Sequence, residues 1–202
     1  IKTVYDQRET LSLTAEQQTL LEKTYKSFTR NGANLSLNDK ESLRKIDKEL
    51  ATLKLKFSEN VLAETQHYQW VITDKEQLSG LPDFVLEMLA QEAQKRQLKG
   101  WVITLDMPIY TAVMKYADNR ALRQKLFTDY HSRCAGESAF SNEANVLRIA
   151  ELRQARATLL GYPSYAAFAL EERMAETPEK VMSFLNELLS KAKPQALKEL
   201  EQ

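Results

Sequence analysis

Leu43, Ile46, Leu50, Leu53, Phe57 and Val61 recur at steps of three and four residues, with Lys40, Glu41, Arg44, Lys45, Asp47, Lys48 and Glu49 between and around them. That spacing lines the apolar groups along one side of an α-helix and would scatter them over both faces of a strand. With Ser36 or Asn38 as the opening cap, the helix runs for about 30 residues, or about 45 Å at 1.5 Å per residue. A chain built round such an element is mainly helical. The narrow seam suits an antiparallel pair with the helix before it. An intermolecular coiled coil fits less well, because the run is shorter than the three to four heptads such structures sustain.

The neighbouring segments repeat the pattern. Thr14, followed by Gln17, has the form of a capping box, and Asn31-Gly32 closes that helix after Leu21, Tyr25 and Phe28. Two short runs, YQWVIT over 68–73 and KGWVIT over 99–104, favour strand through Trp, Val, Ile and Thr. They predict a small two-stranded ribbon, about 68–73 with 101–105. Between them a helix is expected, with Pro82 in its first turn and Phe84, Val85, Met88 and Leu89 on its apolar side. Pro108 opens a helix through Tyr110, Val113, Met114 and Ala117. Asn119 caps another that carries Leu122, Leu126, Phe127 and Tyr130. After the loop AGESAFS, Ser141 or Asn142 starts a helix with Val146, Ile149, Leu152 and Leu160 inward and Arg148, Arg153 and Arg156 outward.

The stretch LLGYPSYAAFALEERMAETPEKVMSF, residues 159–184, is then a series of stops and starts. Gly161 ends one helix, and Ser164 caps a second with Tyr165, Phe168 and Leu170 buried. Thr177 caps a third, with Pro178 in its first position and Glu179 facing the positive end of the helix dipole. Val181, Met182, Phe184, Leu185 and Leu188 give this last helix an amphipathic face. The fold class expected is mainly α, helical hairpins with a small β ribbon.

Totals narrow the function classes. Lys+Arg and Asp+Glu are 28 each, so no excess of charge directs the chain to nucleic acid or to an anionic membrane. No apolar run approaches the roughly 20 residues of a membrane span. The single cysteine, Cys134, rules out an internal disulfide and a four-cysteine zinc site. His67 and His131 are the only histidines, too few for a zinc site drawn from histidine, and no HExxH pair occurs. Cys134 beside His131 is a conceivable thiolate pair, although a cysteine at a helix end more often fills space. No GxSxG elbow or glycine-rich phosphate loop is present. Glu171, Glu172 and Glu176 read as a solvated face. Tyr162 and Tyr165 could offer hydroxyls to a ligand, or pack at the helix junction.

Three segments carry a resemblance: GANLSLNDKESLRKIDKELATLKLKFSENVL (32–62), MPIYTAVMKYADNRALRQKLFTDYHSR (107–133) and RIAELRQARATLLGYPSYAAFALEERMAETPEKVMSFL (148–185). Together they resemble the zinc-dependent M3 oligopeptidases, the bacterial peptidyl-dipeptidases (dipeptidyl carboxypeptidases) in particular. The likeness runs from about Thr14 to the last residues. It implies a largely helical enzyme in which two halves flank a deep channel that admits short peptides and excludes folded proteins. It also implies zinc held by an HExxH helix and a later Glu, in the C-terminal half of the family's members. None of those residues has a counterpart here.

The expectation is therefore a piece from the N-terminal half of a zinc metallopeptidase that releases C-terminal dipeptides from short peptides. Residues 1–134 would form channel wall and cover, and 135–202 the start of the region leading to an absent catalytic half. The chain itself would supply scaffold and steric wall, with no catalytic and no metal-binding residue, no bound zinc and no activity alone. Its partners would be short peptides and the missing catalytic half, not nucleic acid or membrane. The cytoplasm is the expected compartment, with the periplasm left open. The alternative is a non-enzymatic helical interaction module derived from the same family, using the 43–61 seam.

Overall fold

The computed structural model describes residues 1–201. Nine helices and one two-stranded antiparallel sheet are present among them: α1 (Lys2–Asp6), α2 (Ala15–Arg30), α3 (Leu37–His67), β1 (Trp70–Ile72), α4 (Asp83–Lys95), β2 (Trp101–Ile103), α5 (Met107–Tyr116), α6 (Arg120–His131), α7 (Glu143–Leu159), α8 (Tyr165–Leu170) and α9 (Pro178–Leu200). The mainly helical class is as the periodicity requires. The chain groups into two compact units, one of residues 1–51 with 150–202 and one of residues 52–149.

Local chemistry explains most boundaries. At α2 the Gln17 amide donates to the Thr14 hydroxyl, and the Thr14 amide donates to the Gln17 side-chain oxygen. Two otherwise orphaned donors are thereby satisfied. Of the two candidate caps for α3, Ser36 is the one used, accepting from the Asp39 amide at 3.1 Å. Asn119, Ser164 and Thr177 cap α6, α8 and α9 in the same way. Pro82 sits at the N-cap of α4, one step before the first turn expected for it.

The core of the 52–149 unit forms where the ribbon meets α4, α5 and α6. Trp70 pairs with Ile103, Val71 with Val102 and Ile72 with Trp101. Ile72, Val85, Leu89, Ile103, Val113 and Leu126 are nearly or fully buried in one cluster. The strands are three residues long, shorter than the 68–73 and 101–105 expected. α3 continues through His67, and the Tyr68 hydroxyl donates to Asp129 at 2.5 Å. Gly100 makes the return into β2 possible. Its φ is +93°, and a Cβ there would lie 2.3 Å from the Ile72 carbonyl oxygen.

Several sidedness expectations are corrected. Phe84, Phe127 and Val146 are 55%, 49% and 51% exposed, not buried. Phe84 sets its edge against Tyr116, and Phe127 lies against His131 at 4.0 Å between ring centroids. Asn142 and Asn145 take the inward places at the start of α7, where the Asn142 side-chain amide donates to the Phe57 carbonyl. Arg153 and Arg156 point inward rather than outward. The Arg153 guanidinium lies over Tyr165 at 5.1 Å and that of Arg156 over Phe168 at 5.0 Å. Arg156 also donates to Asp47 at 2.7 Å. Aromatic faces on α8 thus draw in two cations that periodicity alone assigns to solvent.

Candidate functional site

The 159–184 stretch builds a polar cluster together with the end of α2. α7 ends at Leu159, and Gly161, at φ +87°, lets the Tyr162 amide donate back to the Ala157 carbonyl. That reversal aims the Tyr162 ring at Phe168, 5.1 Å away edge-on, and its hydroxyl donates to Glu171 at 2.7 Å. Arg30, the last residue of α2, reaches into the same spot. It donates to the Tyr162 hydroxyl at 3.2 Å, to the Phe168 carbonyl at 2.8 Å and to Glu171, and its guanidinium lies 4.3 Å from the Phe168 ring centre. Lys26, one turn earlier, pairs with Glu172 at 2.6 Å. A hydrogen bond from Lys26, more than charge attraction alone, holds the Glu172 carboxyl below its usual range. Glu176 likewise pairs with Lys180.

These groups face one another rather than a ligand. Tyr162 is spent on Glu171 and Arg30, so its hydroxyl packs at the helix junction. Glu171, read from sequence as solvated, is instead the acceptor that joins α2 to the end of α8. Arg153 Nε is a buried polar atom with no hydrogen-bond partner among the described residues.

A second cluster lies where the loop after α6 meets α3. Cys134 is buried, in a left-handed conformation at φ +58°. Glu64 of α3 accepts from the Cys134 amide and, at 3.1 Å, from the Ser138 hydroxyl. Burial first, and then the hydrogen bond to Glu64, push the Cys134 thiol up to about 11. A thiol held protonated in this way is a poor nucleophile near neutrality. His131 is occupied elsewhere. Its Nδ1 lies 2.9 Å from the Phe127 carbonyl, and its ring packs among Phe127, Tyr130 and Tyr110. The thiolate-pair reading therefore fails, since each residue is committed to a different partner. His67 sits edge-on to Phe140 at 6.1 Å.

Beside Cys134 an apolar recess of about 550 Å³ opens between α3 and α7, lined by Phe57, Val61, Val146 and Leu147, with Arg133 and Glu143 at its edge. Arg133 donates to Thr65 at 2.8 Å and lies over the Tyr130 ring at 3.9 Å. Glu143 accepts from the Gly136 amide at 2.8 Å. The recess has shape and greasy surface but no activated group.

A zinc ion, which the M3 resemblance implies for such enzymes, finds no fitting donor set here. No three His, Cys, Asp or Glu side chains gather as metal ligands among the described residues. The two histidines are each engaged in ring packing, and the one cysteine is held as a thiol.

Comparison with known proteins supplies what the geometry does not. Residues 113–202 match the model of peptidase family M3. The chain is 35% identical over 190 residues to oligopeptidase A of Haemophilus influenzae, covering 92% of this chain and 28% of that protein. It is 36% identical over 207 residues to an organellar oligopeptidase A, chloroplastic/mitochondrial, of Arabidopsis thaliana, covering 99% of this chain and 26% of the relative. It is 32% identical over 201 residues to dipeptidyl carboxypeptidase of Escherichia coli, covering 99% and 30%. The chain thus spans under a third of the length of these curated relatives. Residues 113–202 are a segment of peptidase family M3, and the homology extends upstream through nearly the whole chain.

Proposed function

We propose that these residues serve as scaffold and steric wall in an M3 metallopeptidase that cleaves short peptides, and that the zinc and the catalytic groups are supplied from outside them. The observation that carries this reading is the match over 99% of the chain to only 30% of a dipeptidyl carboxypeptidase. The local chemistry supports it: the titratable groups with shifted behaviour are tied into ion pairs or buried packing. In this reading residues 1–134 provide channel wall and cover, and the helices from 135 onward lead towards the catalytic region. Release of C-terminal dipeptides is the specificity proposed, with short unfolded peptides as substrates. The cytoplasm is the proposed compartment, supported by the name of one relative, a "Probable cytosolic oligopeptidase A" of Arabidopsis thaliana, 38% identical over 197 residues.

The test is a chimera in which this chain replaces the aligned 201-residue stretch of the Escherichia coli dipeptidyl carboxypeptidase. The chimera should cleave a short peptide, yield dipeptides by mass spectrometry and lose activity to a zinc chelator. The chain alone should leave the same peptide intact. Turnover by the chain alone sinks the scaffold assignment, and a folded but inactive chimera sinks the peptidase reading. Internal cleavage instead of dipeptide release would overturn the specificity only.

A second reading, a non-enzymatic helical interaction module, is favoured by one observation, the long uncovered apolar face of α9. It predicts a stable complex with another protein and an inactive, though folded, chimera.

A further inference from the structure

α9 carries Val181, Leu185, Leu188, Leu189, Ala192 and Ala196 along one side, with Met182 and Phe184 at its flanks. In a surface helix of a finished domain such a stripe is turned inward. Here it is bare. Met182, Phe184, Leu185, Leu188 and Leu189 are 48–64% exposed, and no residue of α9 is buried. No charged residue interrupts the stripe from Val181 to Ala192; Lys180, Glu187 and Lys191 lie to one side of it.

The total surface agrees. The chain exposes 14343 Å². A compact monomer of 23.2 kDa exposes roughly 9,700 Å², and two separate domains of half that mass roughly 11,700 Å². The surplus over even the second figure is about 2,700 Å²; it belongs to the whole chain, with Leu20, Leu37, Leu55 and Leu147 also exposed, and exceeds the roughly 800 Å² that one partner contributes to a standard stable interface.

Two facts identify the occupant. The M3 family match runs through the whole of α9, so the helix belongs to the part of the chain held in common with that family. The relatives have roughly 70% of their length outside the aligned stretch. We propose that the α9 stripe is an interface for that further M3 polypeptide: a covered, water-free helix face in an assembled peptidase, not an outer wall of the channel. The inference rests on the reading of these residues as part of an M3 peptidase and adds the surface through which they join the rest.

Leu185→Glu with Leu188→Glu tests it in two settings. In the isolated chain both positions are exposed, so the double variant should unfold within about 2 °C of the unsubstituted chain. In the dipeptidyl carboxypeptidase chimera it should lower the unfolding midpoint by roughly 10 °C, since two buried charges replace packed leucines. Glu187→Gln, beside the stripe, should change neither. Equal, small shifts in both settings overturn the proposal. So does an isolated chain that sediments as a dimer and is split by the double variant, because the stripe is then a contact between copies. Cleavage by the chimera is scored separately: an inactive chimera that still shows the 10 °C difference rejects the peptidase reading and leaves the interface standing.

Discussion

Arg30 and Glu171 stand 141 residues apart in sequence and form an ion pair that ties the end of α2 to the end of α8. The Arg30 side chain is 14% exposed and serves four groups at once: a hydroxyl, a backbone carbonyl, a carboxylate and an aromatic face. Replacing it by Ala takes the donor from the Phe168 carbonyl and one partner each from the Tyr162 hydroxyl and Glu171, which keep only their bond to one another in a partly buried site. Arg30→Ala should therefore cost about 2–4 kcal/mol in urea unfolding followed by circular dichroism. Arg30→Lys should recover only part, because an ammonium cannot reproduce the planar fork. A loss under 0.5 kcal/mol for the Ala variant would show the cluster to be decoration.

The local devices around this pair were legible in the sequence, and the pair was not. Thr14 with Gln17, Asn119, Ser164, Gly161 and Thr177 act on amides within four residues, so a one-dimensional reading finds them. Glu171 has the same composition signal whether it meets water or an arginine 141 residues upstream. Sidedness failed for a related reason. Helical period tells which residues share a stripe, but Phe84, Phe127 and Val146 lie at the stripe's margins, where neighbouring elements decide exposure. Arg153 and Arg156 were drawn inward by rings on α8 that follow α7 in the chain. Of the candidate site, the poverty of His and Cys was visible from the start. The pairing of Cys134 with Glu64 was not, because it depends on a loop that folds back over α3.

Gly100 and Gly161 both adopt positive φ, and their surroundings differ enough to predict different costs. A Cβ at Gly100 would meet the Ile72 carbonyl at 2.3 Å, whereas at Gly161 nothing lies within 4 Å. Gly161→Ala should cost about 1 kcal/mol, the price of the left-handed conformation alone. Gly100→Ala must also push β2 away from β1, and should cost more than about 2 kcal/mol. Thermal unfolding of the two variants side by side checks the order. Equal midpoints would mean that the β1–β2 return relaxes freely.

Alkaline pH should act through Cys134. Its thiol is raised to about 11 in the folded protein from an ordinary 9.0. The folded state holds this proton more tightly than the unfolded chain does. The stabilisation is fully present below pH 9 and is lost as pH rises from 9 through 11. Stability of the unsubstituted protein should fall across that window, and Cys134→Ala should remove the part of the fall between about pH 9 and 10, below the range in which Tyr68, held above its ordinary 10.0 by burial and by Asp129, adds its own. Thiol labelling at pH 7.5 should run roughly 100-fold slower than for an unfolded control, the factor set by two pH units of thiolate fraction. Labelling at the rate of the unfolded control would place the thiol in water and refute its burial against α3.

Glu64 is the acceptor that holds the loop following α6 on α3, through the Cys134 amide and the Ser138 hydroxyl. Among the described residues Glu64 is the acceptor of the Cys134 amide, and the recess lined by Phe57, Val61 and Leu147 has this loop as one wall. Glu64→Gln keeps an oxygen acceptor and should leave the loop in place. Glu64→Ala leaves a buried N–H without a partner, at a cost of about 1–3 kcal/mol. The loss should be local, because the Asn142 amide still donates to the Cys134 carbonyl at 2.8 Å and anchors the far end of the loop. Hydrogen exchange should then speed up at Cys134 and around Ser138 in Glu64→Ala, with Val85, Leu89 and Val113 in the core unchanged. Acceleration in that core as well would show that the loop and the core unfold as one unit, and unchanged exchange at Cys134 would show that Glu64 is not what holds it.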